Sequence, residues 1–512
     1  MSKTPKLTAR SRVFPASLRG ARPARALLLT LLLGACAAIP PEPPLKVAMP
    51  AAYSKTQGDW QPAQHLAATP RGPWWQVFDD PVLSELEGQV ARHNQSLAAQ
   101  LAAYDQATAA IAQARATYFP TLSAGASATR SKSASSSSST ARPGALFDSV
   151  SASATASWEP DLWGRVRLQV QASQANAAAS AATLQFTLLS LQTTLAQSYL
   201  QLRTVDVQVG LAQDTVAAYR RALQLTENRY RAGVDTAADV AQARTQLLQA
   251  QTSQTDFDVT RAQLQNALAV LVGKPPAEFS LPATGVLPAV PAIPAGIPAQ
   301  LLQRRPDLAA AQAQVEAANA QIGVAQTAWF PSLTLSAQVG SEATRMADLF
   351  SAPSLFWSLG PDLAATIFDG GLRRAQVASS EAAYRQTVAN YRQGVLSALQ
   401  QVEDNLAAQR ILTREAQQQA DVVQAAEVSL RLAENQYQAG TAPYLNVITA
   451  QNTATSARNA QLGLLDRRYA AAVSLIAALG GSWGGATQPA LGSLPQRTSD
   501  FDADQDAGRG RP

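Results

Sequence analysis

Between Arg165 and Arg231 the chain runs 67 residues without a proline, and Leu188, Leu195, Leu202, Val209, Val216, Leu223 and Tyr230 recur at every seventh position. Leu191, Val205, Ala212 and Tyr219 occupy companion positions. A heptad sustained over this length specifies one unbroken helix that packs along other helices. At ~1.5 Å per residue it is ~100 Å long, several times the diameter of a globular domain. Such a rod needs other rods beside it. Val395, Val402, Ala416, Val423, Leu430 and Tyr437 repeat the seam later in the chain, interrupted only at Gln409. Segments 83–118, 236–273, 299–328 and 444–480 read as helices about half as long, so two laid end to end match one long rod.

The two seams belong to an internal duplication. Leu97 to Pro120 aligns without gaps on Leu308 to Pro331, sharing Leu-Ala-Ala at the start, Ile111 with Ile322, Ala114 with Ala325, and Phe-Pro at the end. Leu225-Thr-Glu-Asn-Arg-Tyr-Arg-Ala-Gly233 matches Leu432-Ala-Glu-Asn-Gln-Tyr-Gln-Ala-Gly440, and Val240 matches Val447. The expected layout is a first repeat over 81–273, a Pro-rich join over 274–298 and a second repeat over 299–483.

Each repeat also carries two segments of a different period. Val150, Ala152, Ala154, Ala156 and Trp158 alternate with small polar residues, and so do Leu333, Leu335, Ala337 and Val339. Leu355, Trp357, Leu359, Pro361, Leu363, Ala365 and Ile367 form a longer alternation, and the stretch after Pro120 a weaker one. A transmembrane β-strand shows this pattern, with lipid on one side and water on the other. A strand of a soluble sheet packed on a core shows it too.

The net charge of +5 suggests nucleic acid until its location is considered. Lys3, Lys6, Arg10, Arg12, Arg19, Arg22 and Arg25 fall in residues 1–35 with no acid among them, and removing those seven charges takes +5 to −2. The basic stretch is followed by the apolar run Ala26 to Leu33 and by Gly34 and Ala35, the order of a secretory signal peptide. The run is too short to span a bilayer, which takes ~20 residues. Cys36, the one cysteine in the sequence, comes next, and Leu33-Gly34-Ala35-Cys36 resembles the bacterial lipobox. That resemblance implies a covalent N-acyl and S-diacylglycerol lipid on Cys36 as the new N-terminus, and Ala37, where inner-membrane lipoproteins often carry Asp, favours the outer membrane. Residues 36–80, Pro-rich up to Pro73, read as a lipidated tether. The polar stretch 484–512 reads as a disordered tail, and Ser131 to Gly144 as a flexible loop tip at the outer surface.

Only internally satisfied helices and closed barrels cross a bilayer, and no helix here is apolar enough to do so. Four strands cannot close on themselves, since even a barrel filled by side chains needs about eight. Several chains must then share one barrel: two would leave almost no lumen, and three would leave room for water. At the corners of the strand segments stand Trp158-Glu-Pro-Asp161-Leu-Trp163-Gly164-Arg165 and Ile367-Phe368-Asp369-Gly370-Gly371. Elsewhere are Trp74-Trp75 before Phe78-Asp-Asp-Pro81, Arg305-Pro306-Asp307-Leu308 and Ala478-Leu479-Gly480-Gly481-Ser482-Trp483. From Cys36 to Trp483 the set closely resembles the outer-membrane factor family, in its lipoprotein branch that serves resistance-nodulation-division efflux pumps. The resemblance implies a mainly α fold with a membrane β-barrel: a homotrimer whose twelve-stranded barrel in the outer membrane is continuous with an α-helical barrel in the periplasm. It also implies a periplasmic adaptor protein and an inner-membrane resistance-nodulation-division transporter as partners. The chain itself would be a passive exit duct for small molecules, without catalysis or cofactor.

The same resemblance places the turns at Gly233 and Gly440 at the periplasmic tip, where the pore closes and the adaptor docks. Asp239 and Tyr437 match positions bonded across the closed tip, and Leu445, Thr449 and Asn452 match its constricting ring. Asn446 and Thr449 stand where relatives often carry aspartates, which implies a softer, less cation-selective gate. From the residues alone, Gly233 and Gly440 read as helix C-caps, and Gly164, Gly370 and Gly371 as turns from strand to helix. Trp158, Trp163, Trp357 and Phe368 fit either an interfacial aromatic belt or burial between subunits. His65 and His93 are isolated, and no arrangement of metal ligands, nucleophile and base, or phosphate loop is apparent; Glu403-Asp404 reads as a solvated helix face. Two other readings share some of these features: a type I secretion channel, against which the lipobox argues, and a coiled-coil envelope lipoprotein without a pore, which has no use for amphipathic strands.

Overall fold

The computed structural model describes residues 73–132, 146–291 and 305–481. The signal segment, Cys36, most of the expected tether and of the Ser-rich loop, residues 292–298 of the join, Trp483 and the C-terminal tail lie outside the described residues.

Along the chain come α1 (Pro81–His93), α2 (Gln95–Ala116), β1 (Thr121–Lys132), β2 (Leu146–Trp158), α3 (Arg165–Arg231) and α4 (Ala237–Leu271). Then follow α5 (Pro306–Thr327), β3 (Ser332–Ala343), β4 (Leu355–Ala364), α6 (Leu372–Gln438) and α7 (Tyr444–Ala478). The long helices α3 and α6 are both 67 residues, α4 and α7 both 35, so the duplication persists in element length. Among the described residues no helix is long and apolar enough to cross a membrane.

Two compact units cut across the sequence repeats. Among the described residues one comprises Thr121–Arg165 and Gly323–Arg373, which hold all four strands; the other comprises 73–120, Val166–Ile322 and 374–481, which hold the long helices. The repeats are thus consecutive along the chain, but their strands share one sheet.

In the helical unit the main core joins Leu83, Leu86 and Val90 of α1 with Leu195, Tyr199 and Leu202 of α3, Leu268 of α4, and Tyr469 and Val473 of α7. Trp74 and Phe78, from a 3₁₀ turn over Trp74–Phe78, pack into it, so the end of the expected tether is part of the core. Glu87 of α1 is fully buried, and neither of its carboxylate oxygens has a hydrogen-bond partner among the described residues. The described part of the Pro-rich join is fastened to this unit. Buried Asp206 accepts from Arg203 and from Arg261, at 3.1 and 2.7 Å; Arg261 and Gln265 donate to the Leu281 carbonyl, and Tyr469 to that of Pro288.

The single helix expected over 83–118 is broken. Asn94 ends α1 and caps α2: its side chain accepts from the Leu97 amide at 3.0 Å and donates to the Leu271 carbonyl at 2.8 Å. Close by, the Gly273 backbone lies so near the His93 carbonyl that a Cβ there would sit 2.2 Å from its oxygen.

The strands form one antiparallel sheet in the order β1-β2-β3-β4. Its register aligns the alternation across all four: Leu122 faces Ala156, Ala156 faces Ala337, and Ala337 faces Leu359. The alternation expected to reach Ile367 stops at Ala364, where the chain turns; Ile367 and Phe368 are almost wholly exposed. Trp163 is occupied inside the strand unit, stacked on Phe330 at 4.9 Å and donating to the Pro331 carbonyl.

Candidate functional site

The far ends of the long helices are built by sequence signals that recur in both repeats. Gly233 and Gly440 have φ of 77° and 74°, which an L side chain adopts only with strain. Each closes the same capping motif: the Val234 amide returns to the Arg229 carbonyl and the Thr441 amide to that of Gln436. Gly164, Gly370 and Gly371, where strand passes to helix, also have positive φ.

The two copies have diverged at the side chains. In the first, Thr236 caps α4 with a full capping box: its amide and hydroxyl donate to the Asp239 carboxylate, and the Asp239 amide donates back to the hydroxyl. These bonds hold the Asp239 carboxyl below the usual range. In the second, Pro443 stands at the cap without a side-chain bond, and Asn446 occupies the place of Asp239.

Tyr437, at the end of α6, is 4% exposed and donates its hydroxyl to Asp235 at 2.6 Å. Asp235 lies in the turn between α3 and α4, and both its oxygens also accept from Arg229 at 3.1 Å. The Arg229 guanidinium stands 4.6 Å from the centre of the Tyr437 ring and donates to the Tyr437 carbonyl. Thr226 lies 3.3 Å from the Tyr437 hydroxyl. Burial, and then the bond to Asp235, push the Tyr437 phenol up to about 12, so it keeps its proton at any physiological pH. Within one chain the partner of Tyr437 is therefore Asp235, while Asp239 is committed to Thr236. The duplication makes the asymmetry readable: Tyr230, Arg229 and Asp235 of the first copy correspond to Tyr437, Gln436 and Ala442 of the second. Only the first turn supplies the acid and the guanidinium.

Behind this contact Tyr437, Tyr444, Val447 and Ile448 pack on Ala243, and the Tyr437 and Tyr444 rings are 5.3 Å apart. The opposite side of α7 is open. Leu445 is 61% exposed, and Asn446, Thr449 and Asn452 are exposed as well. Positions 445, 449 and 452 fall on one helical face, so this ring candidate is a stripe of one leucine, one threonine and one asparagine, without formal charge. Asn452 also accepts from Tyr219 at 2.9 Å.

In the strand unit the two faces of the sheet differ in chemistry. One shows Leu122, Ala124 and Ala126 on β1, Val150 to Trp158 at alternate positions on β2, Leu333 to Val339 on β3, and Trp357, Leu359 and Leu363 on β4. Trp357, Leu359 and Leu363 are 78%, 75% and 68% exposed, too much apolar surface for a face left in water. The other face is mostly hydroxyls, glycine and amide, with Phe356 on it and the carboxylates Asp362 and Glu342 toward its two ends, and Ser127 and Ser151 are hydrogen-bonded across the strands at 2.9 Å. The edge strands β1 and β4 have no further partner among the described residues. A side-chain group able to hold a metal ion is absent among the described residues.

The sequence model of the outer membrane efflux protein family matches residues 86–274 and 297–481, both repeats and the strands within them. The chain belongs to that family. Its relatives include a probable efflux pump outer membrane protein, TtgC, of Pseudomonas putida, 32% identical over 459 residues that cover 88% of this chain and 94% of the relative. The pyoverdine export outer membrane protein OpmQ of Pseudomonas aeruginosa is 34% identical over 473 residues, covering 88% and 95%. Among solved structures, CusC superposes with a TM-score of 0.75 at 26% identity, covering 85% of this chain and 98% of CusC. The outer membrane protein VceC of Vibrio cholerae gives 0.72 at 29%, covering 81% and 100%. Members of this family are efflux channels rather than catalysts. This chain is the outer-membrane channel component of an efflux pump.

Proposed function

We propose that three copies of this chain close their four-stranded sheets into one twelve-stranded barrel in the outer membrane, with the helical units in the periplasm. The observation that carries this reading is the open sheet, apolar on one face, mostly hydroxylated on the other and without a further strand at either edge among the described residues. Ten to thirteen residues per strand suit a tilted crossing of the hydrocarbon layer, which takes about 9–11. Barrel closure removes the two edges that would otherwise invite aggregation. Eight strands from two chains would leave little lumen, so three is the smallest number that makes a duct.

The duct performs no chemistry and needs no cofactor beyond the lipid proposed on Cys36. Its energy comes from outside: the partners are a periplasmic adaptor and an inner-membrane transporter of the resistance-nodulation-division class. The tip is the gate. The Tyr437–Asp235–Arg229 cluster fastens α6 to the α3–α4 turn, and the stripe of Leu445, Asn446, Thr449 and Asn452 narrows the pore as a ring without formal charge. The exported solutes are small molecules such as drugs, solvents or other xenobiotics. Single-channel conductance of the purified, lipidated protein in planar bilayers tests this, with wild type beside a Tyr437→Ala, Leu445→Ala double variant. Discrete openings that become larger or more frequent in the variant support channel and gate together. Openings unaffected by the variant discard the gate, and no conductance from either protein overturns the reading in favour of an envelope lipoprotein without a pore.

A further inference from the structure

The hydroxylated face of the sheet is uncharged over most of its height. In register across the strands it presents Ser123, Gly125 and Ser127, then Ser151, Ser153 and Thr155, then Thr334, Ser336, Gln338 and Gly340, then Ser358 and Gly360. Carboxylates stand only near its two ends among the described residues. Asp362 pairs in register with Thr334 on the side where the strands meet the helices, and Glu342 pairs with Ser151 on the far side. Glu342 also accepts from the Ser149 hydroxyl at 3.0 Å, which fixes its carboxylate on this face. From Thr334 to Glu342 is eight residues of strand, ~27 Å at ~3.4 Å each. Between these ends the face carries one aromatic ring per chain: Phe356 is paired with Gly340, and a Cβ on Gly340 would come within 2.7 Å of the ring. The ring therefore lies against the glycine backbone.

We propose that this face lines the lumen, so that the barrel is a neutral conduit, bounded by an acidic collar of Asp362 at one end and of Glu342 at the other, that admits uncharged and zwitterionic amphiphiles. The inference rests on the channel reading above. Hydroxyl and amide groups replace part of a solute's hydration without favouring either sign of charge, and Phe356 offers an apolar contact to a flat ring. Charge discrimination within the barrel then falls to the collars, three carboxylates each, because charged rings set ion selectivity in pores.

The test is the K⁺ to Cl⁻ permeability ratio, read from reversal potentials under a salt gradient in planar bilayers, for wild type, Ser336→Asp, Ser336→Arg and Asp362→Asn. Ser336→Asp should raise the ratio and Ser336→Arg lower it, each by about twofold or more, as expected for a ring of three charges in a confined lumen. Asp362→Asn, which alters one atom and leaves the neutral band untouched, should lower the ratio while single-channel conductance persists. Conducting channels whose ratio ignores all three substitutions would overturn the assignment of this face while leaving the channel intact. A wild type that does not conduct would overturn the channel reading and this inference with it. Should the Ser336 variants fail to insert, the Asp362→Asn result decides alone.

Discussion

Tyr437→Phe removes one hydroxyl from the tip and nothing else. That hydroxyl is 2.6 Å from Asp235 in a site where the tyrosine is 4% exposed and the Asp235 side chain 9%. A hydrogen bond to a charged group under such cover is worth about 1.5–3 kcal/mol. Arg229 continues to satisfy Asp235 after the change, which places the expected loss near ~2 kcal/mol, or about 30-fold in an equilibrium. If the cluster holds the closed tip, the ratio of open to closed dwell times should rise by that order. Asp235→Asn should produce a comparable rise, and the double variant should fall short of the sum, because both changes break the same bond. Single-channel recording measures all three. The donor side of the latch should be insensitive to alkali: a phenol held near 12 keeps its proton until pH rises through that value, so gating in wild type should not change from pH 6 to 9 on account of Tyr437. Unchanged dwell times in Tyr437→Phe, or an Asp239→Asn variant that opens the channel as strongly, would refute the reasoning, since Asp239 is spent on the α4 cap.

Glu87 offers a second perturbation. Burial pushes its carboxyl from 4.5 up to about 9, so the stability is fully present below 4.5, falls as pH rises above it, and the loss is complete once pH has risen through about 9. At pH 7 the cost is ~3 kcal/mol, and Glu87→Leu should raise the thermal unfolding temperature and flatten its decline between pH 5 and 9. Gly273→Ala and Gly233→Ala both place a side chain at positive φ, but only the first drives a Cβ into the His93 carbonyl, whereas nothing lies within 4 Å of the second. Gly233→Ala should cost about 1 kcal/mol and Gly273→Ala several times more, checked by thermal melts of the two variants side by side. Asp206→Ala strips Arg203 and Arg261 of their shared acid, leaving a 3% exposed guanidinium uncompensated; a loss of about 3–5 kcal/mol, with faster proteolysis near Pro282, is the expected result.

Local rules made much of this fold legible. An unbroken seam between two helix breakers set α3, and the duplication then set α6. Strand alternation survived because the register keeps apolar and small polar residues on opposite faces of the sheet, and the turn glycines were readable because glycine adopts without strain the positive φ that closes a long helix. Long-range partners were out of reach. The break at Asn94 depends on the Leu271 carbonyl, 177 residues away, and the apolar face continues on both sides of it. Glu87 shares its helical face with Leu83 and Val90, a signal present in the spacing, yet an acid there reads as surface until the helices that cover it are placed. The partner of Tyr437 lies 202 residues away, and the hint, an acid in one copy of the turn and Ala442 in the other, gains meaning only once the two turns are adjacent.

The central claim, that one chain supplies a third of a closed barrel, is tested most directly by counting chains. Native mass spectrometry of the full-length protein extracted from outer membranes should release one complex of three copies that resists dissociation until the barrel unfolds. A monomer or dimer that still conducts ions in planar bilayers would contradict the account.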